Sequence, residues 1–199
     1  KKDFASAKNH LLELVKEKDP VDRAPFYMDL ISIALNDKEY ELANKYLEKV
    51  KKSGTEINYN LLFVESQILT EMGKIQEALK ILETARVSNE SDEILYRIGK
   101  LKYQLGDFKE SRIILEKAIE IDSQKAIYHA TLAEVLLQLN EYEEAAEYAM
   151  TSIELIKYFP KAHFILGQAL EQLGDLANAK LAFEMASRLK PKVFHKAEK

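Results

Sequence analysis

The sequence contains no cysteine, and its 199 residues include only 6 glycines and 4 prolines. Without cysteine the chain has no disulfide framework and no thiolate to act as a nucleophile or metal ligand. Glycine and proline are too scarce for a loop-rich β protein of this length. The lack of cysteine is compatible with the cytoplasm, which we favour, and also with a bacterial periplasm.

Two further features are missing from the sequence. No apolar run approaches the roughly 18 residues that a membrane span needs, and the first twenty residues show a charged amphipathic pattern rather than the apolar core of a signal peptide. Basic residues are not in excess, since the net charge is −4 and the isoelectric point about 5.7. We therefore expect no membrane span and no nucleic-acid partner, and an RNA-reading helical repeat is a disfavoured alternative.

What the sequence does contain is a clear helical pattern between Pro160 and Pro191. The segment PKAHFILGQALEQLG has the apolar spacing of an amphipathic helix, and so does the segment LANAKLAFEMASRLK. Gly174 and Asp175 stand between the two segments and favour a turn. The stretch therefore predicts two helices joined by a tight turn.

Small residues recur at intervals of 33 or 34 residues in the middle of the predicted first helices. This series consists of Ser32, Ser66, Gly99, Ala133 and Gly167. The predicted second helices carry a parallel series of small residues, namely Ala43, Ala78, Ser111, Ala145 and Ala179. Small side chains let paired helices approach closely, so both series indicate a stacked array of helix hairpins.

The repeat length and the small residues resemble the tetratricopeptide repeat (TPR). The resemblance implies an all-α, right-handed superhelical solenoid of about five TPR-like repeats preceded by half a repeat. We interpret residues 1–199 as a single TPR-like domain that is a fragment of a longer protein. Its predicted parts are a lone second helix at 1–19, repeats at 20–58, 59–91, 92–125, 126–159 and 160–193, and a tail at 194–199.

Two charged residues interrupt the apolar stripe of the predicted first helices. Glu65 stands where the other repeats have isoleucine or leucine, and Lys102 replaces a leucine. A buried charge without a partner is costly, so we expect each side chain to reach solvent or to form an ion pair.

No catalytic motif is present, neither a glycine-rich phosphate loop nor an HExxH zinc motif. His129 and His163 occupy equivalent places in neighbouring repeats, but a metal site needs further ligands that the sequence does not supply. We favour a packing role for both, in the slot that Leu62 and Leu95 fill elsewhere. The sequence therefore predicts no enzyme activity, no cofactor and no metal site.

In TPR arrays the first helices line a concave groove, and the resemblance implies the same use here. Helical spacing then selects the residues that would contact a partner. They are Asn60, Phe63, Gln67, Tyr96, Lys100, Tyr103, Ala130, Glu134, Phe164 and Gln168. Aromatic anchors among polar residues suit the capture of a protein or peptide segment. A second copy of the chain, in a homodimer, or a helix of the parent protein could cover the same face.

Two further functions are compatible with the sequence. The chain could be an accessory domain of a larger enzyme, since the segment around Lys157–Asp175 is weakly similar to repeats attached to phosphodiesterase- or sulfatase-like proteins, or it could be a self-association module. The acidic run Glu141, Glu143, Glu144 and Glu147 is either a patch for a basic partner or, as we favour, a solvated helix face.

Overall fold

The computed structural model describes residues 2–17, 20–54, 58–191 and 193, and this part of the chain is helical, without a strand. A short 3₁₀ helix, Pro20–Arg23, separates the first two of its eleven described α-helices. In chain order these are α1 (Lys2–Glu17), α2 (Ala24–Asn36), α3 (Tyr40–Lys52), α4 (Tyr59–Glu71), α5 (Ile75–Ser88), α6 (Asp92–Gln104), α7 (Phe108–Ile121), α8 (Ala126–Gln138), α9 (Tyr142–Leu155), α10 (Pro160–Gln172) and α11 (Leu176–Leu189). The predicted all-α fold of stacked helix pairs is confirmed.

The chain forms two compact units, residues 1–85 and residues 86–199. In the first unit, α2 pairs with α3, and α1 and α4 pack against this pair. The shared core includes Leu30 of α2, Leu47 of α3 and Ile68 of α4, which are almost fully buried. Burying such side chains contributes about 1.5–3 kcal/mol each, so this contact holds the unit together.

The second unit consists of three helix hairpins, α6–α7, α8–α9 and α10–α11, each stacked on the next. The small residues of the second helices are buried at the hairpin interfaces, as predicted. Two serines also hydrogen-bond across them. Ser111 Oγ donates to the carbonyl of Gly99 at 2.7 Å, and Ser152 Oγ donates to that of Ala126 at 2.8 Å. Both hydroxyls are therefore satisfied although they are inaccessible to water.

The turn between paired helices uses one residue in the left-handed backbone region. Glycine takes this conformation at positions 73, 106 and 174, whereas Lys38 and Asn140 take it with φ near 61°. Counting back from Lys38 by the interval found in the other repeats gives Ile31, which is 1% exposed. Ser32 is exposed instead, with its hydroxyl donating to the carbonyl of Met28. Placing Ser32 in the series of close-packed small residues was therefore wrong by one residue.

The two charged interruptions are both paired. In the first unit Lys51 Nζ lies 2.6 Å from Glu65 Oε1, and in the second unit Lys102 Nζ lies 2.8 Å from Glu110 Oε2. The Glu65 and Lys102 side chains are only 19% and 15% exposed. The prediction that each charge reaches solvent or forms an ion pair is confirmed, and it is the ion pair that the structure shows.

Candidate functional site

The predicted partner-binding residues of the second unit lie on three consecutive first helices, α6, α8 and α10, which contact one another in sequence. We call their shared surface the first-helix face. Lys161 of α10 donates to Glu134 Oε2 of α8 at 2.6 Å, with both side chains about one-third exposed. Helices α6 and α8 also pack directly against each other. These contacts join the three helices into one continuous surface.

The aromatic side chains on this face are partly packed rather than freely exposed. Tyr96 stacks on Tyr128 with ring centroids 4.5 Å apart. Tyr103 packs at an angle against Phe108 at 5.6 Å, and Phe164 meets Phe183 edge to face at 5.5 Å. All of the predicted anchors of this unit are half-buried. Each ring covers part of a neighbouring helix and keeps part of its surface accessible.

Burial also changes the acidity of two tyrosines near the face. Desolvation raises the pKa of the Tyr103 phenol above its usual value, and the negative charge of Glu134 raises it further. Desolvation likewise raises the pKa of Tyr128, whose hydroxyl donates to Asp92 Oδ2 at 2.8 Å. Both phenols remain neutral at physiological pH, and the hydrogen bond from Tyr128 to Asp92 holds the Tyr128 ring under Tyr96.

Ala130 does not belong to this surface. Its side chain is fully buried in a cluster with Ala133, Ala149, Ala162 and Ile165. A small side chain at this position lets α10 approach α8 closely. The prediction that Ala130 contacts a partner is therefore corrected, since it packs in the core.

The remaining predicted residues of the second unit are polar and accessible. Lys100 is exposed, and it forms no ion pair with any residue that the structure describes. Gln168 is half-buried on α10, four residues after Phe164. In the first unit, α4 carries the exposed Asn60 and Gln67 and the half-buried Phe63.

A second surface feature lies on the other side of α10, between the second helices α9 and α11. It is a cleft of about 530 Å³, which we call the α9–α11 cleft. It is lined by Met150, Ile153 and Glu154 of α9, by His163, Leu166 and Leu170 of α10, and by Asn178, Leu181, Ala182 and Met185 of α11. The walls are largely apolar, and Leu181 and Met150 are 62% and 46% exposed.

Sequence reasoning missed this cleft, although a signal was present. In four of the repeats, a bulky side chain follows the small residue of the second helix at a distance of three positions. These bulky residues are Tyr46, Ile81, Ile114 and Tyr148. The corresponding residue of the 160–193 repeat is Ala182. The change from bulky to small marks the place where the surface opens.

The acidic run at the start of α9 contains glutamates that form ion pairs within the chain and glutamates that do not. Arg112 of α7 bonds to Glu116 and also to Glu141 and Glu144, which ties α7 to α9. Glu143 and Glu147 are exposed and form no ion pair within the described part of the chain. Part of the run is thus structural, and part remains available.

The described residues contain neither a candidate metal site nor a candidate membrane span. Among residues 2–17, 20–54, 58–191 and 193, no three His, Cys, Asp or Glu side chains are grouped so that they could hold a metal ion. None of the described helices has both the length and the apolar character for crossing a membrane.

Comparison with known proteins identifies the repeat type. A sequence model described as tetratricopeptide repeat matches residues 69–135, and a second with the same description matches residues 130–193. Human tetratricopeptide repeat protein 28 is 30% identical over 87 residues, which are 44% of this chain and 4% of that protein. The DNA repair protein RecN of Aquifex aeolicus (strain VF5) is 26% identical over 156 residues, or 67% of this chain and 30% of RecN. The chain thus spans less than a third of either relative.

Solved structures with the same fold share little sequence. The crystal structure of MamA superposes with a TM-score of 0.65 at 21% identity, covering 80% of this chain and 93% of MamA. YrrB, described as a TPR protein with an unusual peptide-binding site, superposes with a TM-score of 0.61 at 15% identity, covering 92% of this chain and 93% of YrrB. At these identities the likeness establishes the fold.

Proposed function

Because the chain belongs to the tetratricopeptide-repeat family, we propose that it is a protein-interaction scaffold whose first-helix face binds a peptide or helix of a partner protein. The similar protein YrrB is described as having a peptide-binding site, which supports this use of the fold. The proposal includes no catalytic step.

The observation that carries the proposal is the combination of fixed aromatic rings and accessible charges on α6, α8 and α10. Tyr96, Tyr103 and Phe164 are each held by a second ring, so little rotamer entropy would be lost on binding. Aromatic side chains that are fixed by packing and keep one edge accessible are typical binding anchors. Contact with a partner would bury the part of each ring that remains accessible.

Charged groups beside these rings would set the orientation of the partner. Lys100 offers an ammonium group that is free to meet a carboxylate, and the Glu134–Lys161 pair offers both signs of charge. Such rim charges contribute more to specificity and association rate than to affinity. In the first unit, Asn60 and Gln67 would offer polar contacts on α4, and Phe63 would offer an aromatic one.

The experiment places a photo-crosslinking amino acid at position 168 of the 199-residue chain, on the first-helix face. Lys117, an exposed residue of the second helix α7, is the matched control position. We expect cross-links to a defined protein segment from position 168 and none to that segment from position 117. Equal cross-linking from both positions would contradict the proposal.

The cross-linked segment is then synthesised and titrated by calorimetry into the wild type and into two charge reversals. Lys100→Glu should weaken binding about fivefold, which corresponds to the loss of one exposed ion pair. Lys117→Glu should leave the affinity unchanged. If Lys100→Glu binds like the wild type, the segment does not use the first-helix face as proposed.

A further inference from the structure

The 126–159 repeat provides a template for what the α9–α11 cleft can hold. There the Tyr148 ring packs beside His129 with ring centroids 5.9 Å apart, over the core that contains Leu132 and Leu136. Both leucines are fully buried, and His129 is 5% exposed. An aromatic side chain is therefore a good fit between two second helices of this array.

The 160–193 repeat has the same surroundings but no aromatic ring at the position of Tyr148. His163 Nε2 lies 2.9 Å from the carbonyl of Lys157, just as His129 Nε2 lies 2.8 Å from that of Ser123. Ala182 takes the place of Tyr148, and the equivalent leucines, Leu166 and Leu170, are only half-buried. The chain thus builds a slot for an aromatic ring and leaves it open in this repeat.

The α9 side of the slot carries a negative charge. Glu154 lines the cleft, and Glu147 is exposed on the same helix, neither in an ion pair with a described residue. The α9 helix contains four glutamates and no basic residue. A partner with basic residues beside its aromatic ring would complement this side.

We propose that the α9–α11 cleft is a docking site for a tyrosine or phenylalanine side chain of a partner protein segment that carries basic residues on either side of the ring. The site is separate from the first-helix face, because helical spacing places Leu166 and Leu170 on the opposite side of α10 from Phe164 and Gln168. A ligand can therefore bind in the cleft whether or not a partner binds to the first-helix face.

The test uses the peptide acetyl-GSKYKSG-amide and the methyl NMR signals of the chain's 4 methionines. Met150 and Met185 line the cleft, whereas Met28 and Met72 lie in the first unit and serve as internal controls. We expect the tyrosine ring to shift the Met150 and Met185 signals only. Replacing the tyrosine by alanine should weaken binding about tenfold, as for the loss of an interface anchor. Replacing both lysines by glutamate should weaken it about threefold.

Variants of the chain locate the site. Leu181→Glu puts a charge on an exposed wall of the cleft and should abolish the shifts. Leu176→Glu is its matched control, since Leu176 lies on the same helix, outside the cleft, and is 66% exposed against 62% for Leu181. Glu154→Lys should weaken binding of the basic peptide, and Glu143→Lys on the same helix should do so less.

Ala182→Tyr should fill the cleft from within. Its ring should shift the Met150 and Met185 signals without peptide and should prevent further shifts on titration. If this larger side chain prevents folding, Leu181→Glu decides the question alone.

Several results would overturn the proposal. Equal binding of the alanine peptide would show that the ring is not the anchor, and equal loss with Leu176→Glu would show that the cleft is not the site. Loss of the shifts in Lys100→Glu would place the peptide on the first-helix face instead. If sedimentation shows a dimer that Leu181→Glu dissociates, the occupant is a second copy, whose Tyr158 follows Lys157 and is 65% exposed.

Discussion

The hairpins α8–α9 and α10–α11 are neighbours with the same backbone plan, but they place their aromatic bulk differently. The second helix of the first pair reads Tyr148-Ala149, and that of the second pair reads Ala182-Phe183 at the same positions. One residue along a helix is a rotation of about 100°. The ring that covers the outer side of α8 in one hairpin is therefore turned in the other toward the contact between α10 and α11.

The position of the ring in the second helix determines how large the facing residue of the first helix can be. In the α8–α9 hairpin the two facing residues are Ala133 of α8 and Ala149 of α9, and both are fully buried in one cluster. Gly167 of α10 lies under the Phe183 ring, and a Cβ atom there would be only 2.7 Å from two ring carbons. Each hairpin thus has one aromatic ring and one alanine at these two positions of its second helix. The position of the ring decides whether the surface is closed, as over α8, or open, as over α10.

The largest expected effect comes from Gly167→Leu, which gives α10 a side chain where Phe183 already lies. We expect the free energy of unfolding to fall by about 3 kcal/mol, since overpacking forces the ring or the helix to move. Urea denaturation measures the change. Gln172→Leu, at an exposed position of α10, is the control and should stay near the wild-type value. A Gly167→Leu variant as stable as the control would mean that Phe183 does not pack on Gly167.

Tyr148→Ala should open in the 126–159 repeat the cleft that the next repeat already has. We expect a loss of roughly 2 kcal/mol, below the value for a fully buried ring because Tyr148 is half-buried. Thermal denaturation should show this loss. Tyr158→Ala, which removes a ring that is 65% exposed, should change stability by less than about 0.5 kcal/mol. Equal effects of the two variants would contradict the role given to Tyr148.

Ala182→Tyr should bring the 160–193 repeat closer to its neighbour. We expect a gain of about 1 kcal/mol, which is the usual scale for filling an apolar gap. The control, Ala177→Tyr, adds the same ring at an exposed position of α11 and should not stabilise the chain. A loss of stability with Ala182→Tyr would show that the cleft cannot take a ring in the way that the α8–α9 hairpin does.

The periodic spacing of small residues was sufficient to predict the fold, because close helix contacts tolerate only a few side chains at fixed intervals. The register failed at Ser32, where the sequence offers a small residue next to the true contact position, Ile31. The position of the turn corrects this register, because Lys38 takes the left-handed conformation that glycine takes in three other repeats. Helical spacing alone could not show this, because a serine also suits a solvent-facing position.

The candidate site was less predictable from sequence. Spacing assigned Ala130 and the aromatic residues to one face, but it could not show that Ala130 is buried or that Tyr96 rests on Tyr128. Such contacts depend on side chains from separate helices. The cleft also arises from three helices, although the replacement of bulky residues by Ala182 could have indicated it.

The smallest expected effect concerns the hydroxyl of Tyr148, which the 160–193 repeat lacks at the equivalent position. Burial raises the pKa of this phenol above its usual value of about 10, the carboxylates of Glu116 and Glu144 raise it further, and Arg112 lowers it. The native state therefore retains the proton at a pH where the unfolded chain releases it. The stabilisation is complete below the pKa of the unfolded state and is lost as the pH rises through the native pKa. We expect Tyr148→Phe to match the wild type at pH 7 and to lose stability less steeply between pH 9 and 11, as measured by urea denaturation at each pH. Tyr158→Phe is the control and should follow the wild-type curve, and a Tyr148→Phe curve with the same alkaline slope would show that the buried phenol does not contribute.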